Sequence, residues 1–269
     1  MEAMRFEGRV VIVTGSSSGI GRAVAEALAA EGVGGLTLHG QNAERLAETR
    51  AAVERAGVPA ERLLVVRGPI EEAETRRRLV DETLAKFGRL DVLVNNAASQ
   101  QKPGAEPNSL ENLDFLFAAN LRAVVDLTAR ALPHLRAAGG NVVNVSSVGA
   151  SRVRCENVPY VVLKAALDHF TRNAAIQHAA DGVRVNAVSP GATRTNFPHT
   201  AGVDAEQAAR LFARVGRLVP VGRVAEAREV AAAVLFVASP AASYVTGSTL
   251  VVDGGLSVGN PQHTAELAE

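Results

Sequence analysis

The sequence predicts an α/β fold, a single domain built on one doubly wound, parallel, seven-stranded sheet. Short β-branched runs recur along the chain, and each is followed by a longer segment whose apolar residues return at helical spacing. No Pro/Gly-rich linker and no repeated motif breaks this alternation, so residues 1–269 read as one unit. With 47% hydrophobic residues, a chain of 269 residues buries roughly 70–75% of its unfolded surface, which excludes disorder as its main state.

The first strand, Arg9–Val13, is a β-branched run that leads through a Gly/Ser turn into an Ala-rich helix over Gly19–Ala30. Gly32 punctuates the way to the second strand, Leu36–His39, and Gly57 ends the helix over Ala43–Ala56. Leu63–Arg67 and Leu90–Val94 flank a helix over Glu72–Phe87 that Gly88 stops. A long helical pattern, Leu110–Ala137, runs up to Gly139-Gly140, after which Asn141–Ser146 makes the fifth strand. Tyr160–Ala180, closed by Asp181-Gly182, precedes the sixth strand, Val183–Val188. Ala225–Ala238 precedes the seventh, Thr249–Val252. Residues 196–224 are the least regular: Pro198, Gly202, Gly216, Pro220 and Gly222 bracket one short helix. Such an insertion near the carboxyl ends of strands is expected to be a mobile lid over a site.

Lys+Arg 28 balances Asp+Glu 28, so no net field draws the chain to nucleic acid or to an anionic membrane. The longest uninterrupted apolar stretch, Val230–Ala238, falls far short of the roughly 18 residues of a membrane span. A single cysteine, Cys155, allows no intrachain disulfide, and Met1-Glu2-Ala3-Met4-Arg5 leads into a strand without a signal region. Both features point to a cytoplasmic protein. Asn144-Val145-Ser146 matches a glycosylation sequon but falls in an expected buried strand. The six histidines have no paired ligand spacing, so solvated or capping roles are expected of them and no metal is required.

Directly after the first strand comes Thr14-Gly15-Ser16-Ser17-Ser18-Gly19-Ile20-Gly21, opening a helix. Glycine permits backbone approaches that a Cβ would block, and a helix amino terminus offers free N–H groups to a pyrophosphate. The strand before and the helix after make this a dinucleotide site. Its spacing resembles the turn of the short-chain dehydrogenase/reductase family, which has the Rossmann fold. Further stretches, in the expected order, are similar to that family's motifs. Asn95-Asn96-Ala97-Ala98 resembles Asn-Asn-Ala-Gly with Ala98 for the usual glycine, and Pro190-Gly191-Ala192-Thr193-Arg194-Thr195 resembles Pro-Gly-x-x-x-Thr. Asp253-Gly254-Gly255 closes the last strand as is common there. The resemblance spans Gly8 to Gly255 and implies a cofactor site at Gly15, Ser17, Ser18, Gly19, Ile20, Gly21, Gln41, Asn96, Ala97, Pro190, Gly191, Thr193 and Thr195, with Tyr160 and Lys164 completing it.

Tyr160 and Lys164 stand four apart in an expected helix, so both side chains emerge on one face. With only two tyrosines and three lysines in the chain, about 0.02 chance occurrences of Tyr-x-x-x-Lys are expected. An ammonium nearby favours the phenolate and makes the hydroxyl a usable acid or base near neutral pH. Ser146 and Ser147 both end the preceding strand, and the resemblance selects Ser147, thirteen residues before the tyrosine. It also implies that Asn120 holds a water in a proton relay behind the lysine, and that Leu163 departs from the small residue often found before it. The mechanism implied is hydride transfer to or from a carbon bearing oxygen. Tyr160 protonates the alkoxide in reduction, Ser147 orients the carbonyl, and Lys164 binds ribose hydroxyls. Cys155 lies in the loop before Tyr160, where it could line a substrate pocket.

NAD-preferring dehydrogenases place an acid at the end of the second strand. Leu38-His39-Gly40-Gln41-Asn42 has none, which favours NADP(H) over NAD(H). NADP-binding relatives usually supply an arginine where Gln41 stands, and Arg45 is one candidate to compensate. Gly68-Pro69-Ile70 replaces the family's usual aspartate-containing adenine contact. The expected partner is a small carbonyl or alcohol substrate, selected by the lid and the Gln100–Ser109 loop. A homodimer or homotetramer packed through the long helices and the last strand is expected by analogy. Two other readings are a ketoreductase for a carrier-bound acyl chain and a nucleotide-sensing protein without turnover.

Overall fold

The computed structural model describes residues 5–153, 155–195 and 204–259. Seven strands form one parallel sheet in the order β3-β2-β1-β4-β5-β6-β9. They are β1 (Val10–Val13), β2 (Gly35–Gly40), β3 (Leu63–Arg67), β4 (Val92–Asn95), β5 (Asn141–Val145), β6 (Arg184–Pro190) and β9 (Thr249–Val252). The chain starts in the middle of the sheet, winds outward through β2 and β3, then returns to pair β4 with β1. That reversal opens a crevice beyond the carboxyl ends of β1 and β4, where such sheets take ligands.

Helices cover both faces, so the strands are apolar on both sides. Val11 and Val13 of β1 face α1 (Gly19–Ala30), α2 (Ala43–Arg55) and α8 (Ala227–Ala238), packing with Val24, Leu28, Leu46, Val230 and Val234. Ile12, between them, enters the opposite core with Leu79 of α3 (Ala73–Phe87) and Leu127 and Leu135 of α5 (Ala123–Ala138). Ala174 and Ala175 of α6 (Val158–His178) complete that side. The alternation along one four-residue strand thus builds both layers.

Two features differ from the sequence reading. The expected helix Leu110–Ala137 is divided into α4 (Leu110–Leu116), a π-helical turn Phe117–Arg122, and α5. A wider turn leaves no signature in apolar spacing. The helix expected from Ala225 starts at Ala227, because Ala225–Glu226 forms a short strand β8 paired with β7 (Thr193–Arg194). Glu226 then caps α8 in a reciprocal capping box with Glu229. Within residues 196–224, the described part holds α7 (Ala205–Gly216), started by an Asp204–Gln207 capping box; residues 196–203 lie outside the described residues.

A buried polar row crosses the sheet. Asn95 donates to Asn144 Oδ1 at 2.9 Å, and Asn144 donates to Thr171 Oγ1 at 2.9 Å. Asn144 is fully buried, so the sequon it heads lies inside the sheet. Replacing Asn144 by alanine takes one hydrogen bond from each of two buried side chains, Asn95 and Thr171, which keep their bonds to Thr128 and Leu167. A loss of about 1–3 kcal/mol is expected, read as a lower urea midpoint at unchanged slope.

Candidate active site

The turn after β1 presses directly against the end of β4. Gly15 has φ of 65°, and a Cβ on it would lie 2.8 Å from Ala97 Cα. A Cβ on Gly21 would collide with Gly15 O and the Asn96 side chain. Thr14 Oγ1 accepts from the N–H groups of Asn96 at 2.9 Å and Ala97 at 3.0 Å. Asn96 Nδ2 returns two bonds, to Thr14 O at 2.9 Å and Gly15 O at 3.1 Å. Glycine at these points lets two backbones touch, and Gly19, with φ of 55°, begins α1 against the Thr195 side chain. Ser17, Ser18 and Ile20 fill the rest of this turn, with Ser18 at the helix N-cap. The opening offers backbone N–H groups and no bulk, which suits a pyrophosphate.

The remaining cofactor candidates lie around the same edge of the sheet. Pro190 ends β6, Gly191 packs on Asp253, and Thr193 Oγ1 donates to Gly191 O at 3.1 Å. Arg194 sits over the Phe212 ring of α7 at 5.3 Å and pairs with Glu226 at 3.2 Å. A cleft of about 440 Å³, lined by Gly19, Arg22, Thr195, Ala208 and Phe212 among others, separates α7 from the start of α1. Gln41 follows β2 and is exposed.

Three of the catalytic candidates, Ser147, Tyr160 and Lys164, lie around the end of β5. Lys164 is 3% exposed, and its Nζ donates to Val145 O at 2.8 Å while lying 5.8 Å from the Tyr160 ring centre. Burial pushes its pKa down to about 8, opposed by the charge of Asp168 one turn further along α6. Asp168 itself is raised by burial, and its Oδ1 has no hydrogen-bond partner among the described residues. Ser147 begins a 3₁₀ turn, Val148–Ala150, its Oγ accepting from Gly149 N at 3.1 Å. Val161, next to Tyr160, packs on Gly149 and so brings helix and turn together.

Asn120 lies in the π turn, and both ends of its amide engage Ser99: Oδ1 accepts from Ser99 N and Nδ2 donates to Ser99 O, each at 2.8 Å. Its side chain therefore holds the loop after β4. Sequence reading missed a set of asparagines beside it. Asn157 caps α6 by accepting from Tyr160 N at 3.2 Å and donates to Gln100 O at 2.6 Å. Asn108 Oδ1 accepts from Val158 N at 2.9 Å, its Nδ2 donates to Cys155 O at 3.1 Å, and Asn112 Oδ1 accepts from Lys102 N at 2.8 Å. Asparagine before a helix signals a cap, but the bonds that join loop 100–109 to α6 are long-range and leave no local trace. Cys155 is exposed.

A parallel sheet whose switch point holds a Cβ-free turn, with a tyrosine over a buried lysine at the adjacent strand end, defines a class: NAD(P)-dependent oxidoreductases acting on alcohols or carbonyls. Comparison with known proteins agrees. A model described as enoyl-(acyl carrier protein) reductase matches residues 15–257. The chain is 41% identical over 259 residues to cis-4-hydroxycyclohexanecarboxylate dehydrogenase of Sinomonas cyclohexanicum, covering 93% of this chain and 97% of that one. It is 36% identical to 3beta-hydroxysteroid dehydrogenase 1 of Eggerthella lenta, covering 94% and 95%. The crystal structure of a cofactor-bound short-chain dehydrogenase/reductase of unknown function from Caenorhabditis elegans superposes with a TM-score of 0.92 at 34% identity, covering 96% and 98%. The chain belongs to the short-chain dehydrogenase/reductase family. No helix among the described residues is long and apolar enough to cross a membrane.

His39 departs from the solvated or capping role expected of the histidines. It is 2% exposed at the end of β2, where Nδ1 accepts from Gly15 N at 3.2 Å. The proton therefore sits on Nε2, which donates to Gly68 O at 3.1 Å. His178 is buried as well. Burial pushes the His39 pKa down to about 4, against a weaker raising effect from Gly68. The neutral ring is favoured in the fold, so its contribution to stability is present above about pH 6.5 and lost as pH falls toward 4. Between pH 7 and 5 the wild type should lose on the order of 2 kcal/mol more than His39→Gln in urea titrations; equal losses would refute this assignment.

Proposed function

We propose that this protein interconverts a secondary alcohol and its ketone using NADP(H) in preference to NAD(H), through Asn120, Ser147, Tyr160 and Lys164. The observation that carries the reading is Lys164, buried and tethered to Val145 O beneath Tyr160, at the strand end next to Ser147. When bound, the nicotinamide supplies the hydride acceptor or donor. Tyr160 hands its hydroxyl proton to the alkoxide oxygen in reduction and takes one in oxidation. The ammonium of Lys164 stabilises the resulting phenolate and would hold the nicotinamide ribose hydroxyls. Ser147 donates to the substrate oxygen where charge develops. Asn120, by fixing Ser99, keeps the loop after β4 in place beside the turn. Gly15, Ser17, Ser18, Gly19, Ile20, Gly21, Asn96, Ala97, Pro190, Gly191, Thr193 and Thr195 would line the cofactor.

Two relatives are named for alcohols carried on six-membered rings, a hydroxycyclohexanecarboxylate and a 3beta-hydroxysteroid. We extend that class to this chain. The cleft between α7 and α1 supports a lid role for the segment containing α7, and the unpaired Cys155 supports a cytoplasmic location. Apolar side chains left exposed on the long helices, Val125, Val162 and Ile176, and Val251 on the edge strand β9, support a homodimer or homotetramer.

With a panel of cyclic secondary alcohols and ketones, Tyr160→Phe should lower kcat about 10²–10⁴-fold and leave cofactor binding intact. Equal turnover, or none in either protein with any substrate, would sink the enzymatic reading. Light scattering should give the mass of a dimer or tetramer, and Ile176→Glu, at a side chain 81% exposed in the monomer, should lower it. A monomeric wild type would exclude the assembly.

A further inference from the structure

We propose that Arg67 is the residue that selects a phosphorylated adenosine ribose, its cation delivered from the end of β3 and not from the turn after β2. This rests on the reading of the site as one for NADP(H). Strand register places Arg67 opposite Gly40, so β2 and β3 finish side by side at the ligand edge of the sheet. Gly68 N donates to Gly40 O at 3.2 Å, which holds the two ends together. From there the Arg67 side chain folds across the β2–α2 turn, and Nε donates to Gln41 O at 2.9 Å. Arg78 Nη1 donates to Arg67 O at 3.2 Å and fixes its backbone from α3. The two terminal nitrogens of Arg67 make no hydrogen bond or ion pair among the described residues, and the residue is exposed. A guanidinium held by Nε still presents a pair of donors, the geometry that grips a phosphate.

The opposite side of the same place is closed to a carboxylate. A Cβ on Gly40 would lie 2.9 Å from Ser17 Cβ and 3.0 Å from Ser17 Oγ. Ser17 belongs to the phosphate-binding turn, so an acid at position 40 could not enter without displacing that turn. An adenosine ribose seated at the end of β2 would have the Ser17 hydroxyl on one side and Arg67 on the other. A phosphate monoester brings roughly −1.5 to −2 charge and three acceptor oxygens; an unmodified ribose hydroxyl brings neither. Arg45, the cation suggested by sequence, is exposed in the first turn of α2, where its N–H is bound by the Asn42 cap. Its side chain makes no hydrogen bond or ion pair among the described residues that would aim it at the β2 end.

The test is fluorescence titration of NADPH and NADH against the full chain, Arg67→Gln, Arg67→Lys and Arg45→Gln, with thermal shifts in 2′,5′-ADP and 5′-ADP as a second readout. Arg67→Gln should weaken NADPH about tenfold or more and leave NADH within about twofold. Arg67→Lys should recover part of the loss, and Arg45→Gln should change little. The 2′,5′-ADP shift should shrink in Arg67→Gln while the 5′-ADP shift stays. NADPH binding unchanged in Arg67→Gln, or both cofactors weakened equally, would overturn the role of Arg67 and leave the NADP(H) reading standing. Tighter binding of NADH than NADPH by the wild type would overturn both.

Discussion

The site depends on how closely two stretches of backbone approach at the switch point of the sheet. Thr14 and Asn96 fasten the turn after β1 to the end of β4 through four hydrogen bonds, and this works only because positions 15 and 21 lack a Cβ. Glycine is costly elsewhere in a helix, and here it admits a contact no other residue allows. The clamp fixes where α1 begins, and with it the direction of the free N–H groups. His39 extends the same clamp sideways, joining Gly15 to Gly68 through a neutral ring.

A second constraint acts at β5. Burying an ammonium is unfavourable unless something answers its charge. Lys164 has the Val145 carbonyl as its acceptor and Asp168 as its distant counter-charge. The result is a lysine whose pKa burial brings down to about 8, with its charge sensitive to whatever enters beside Tyr160. The π turn serves placement in another way. By widening the helix over one turn it directs Asn120 onto Ser99, so the loop carrying Asn96 and Ala97 is braced from α4–α5 as well as from β1.

Much of this was legible in the sequence. The β-branched runs gave all seven strands of the main sheet, because strands covered by helices on both faces are predominantly apolar, and their ends moved by no more than two residues. Tyr160 and Lys164 could be read from spacing alone, since helical geometry puts residues four apart on one face. Ser147 needed the family resemblance, because Ser146 ends the same strand. The rest depended on contacts distant in sequence. The β7–β8 pair joins residues some thirty apart and only two long on each side, too short for an alternating pattern. The burial of His39 follows from its neighbours Gly15 and Gly68, and nothing at position 39 itself announces it. The π turn shifts hydrogen bonding without altering which residues are apolar.

The three asparagines near α6 link two things that are usually discussed separately. Asn157 holds the amide of Tyr160 with one end of its side chain and the carbonyl of Gln100 with the other, while Asn108 and Asn112 anchor the rest of that loop. The loop proposed to select the substrate is therefore stitched to the first turn of the helix that bears Tyr160, the proposed acid. If Tyr160 is the proposed acid and this loop meets the substrate, diversification of the loop during evolution cannot leave the phenol's aim untouched: lineages that widen the repertoire of accepted molecules must either conserve this stitching or re-register the phenol along with it.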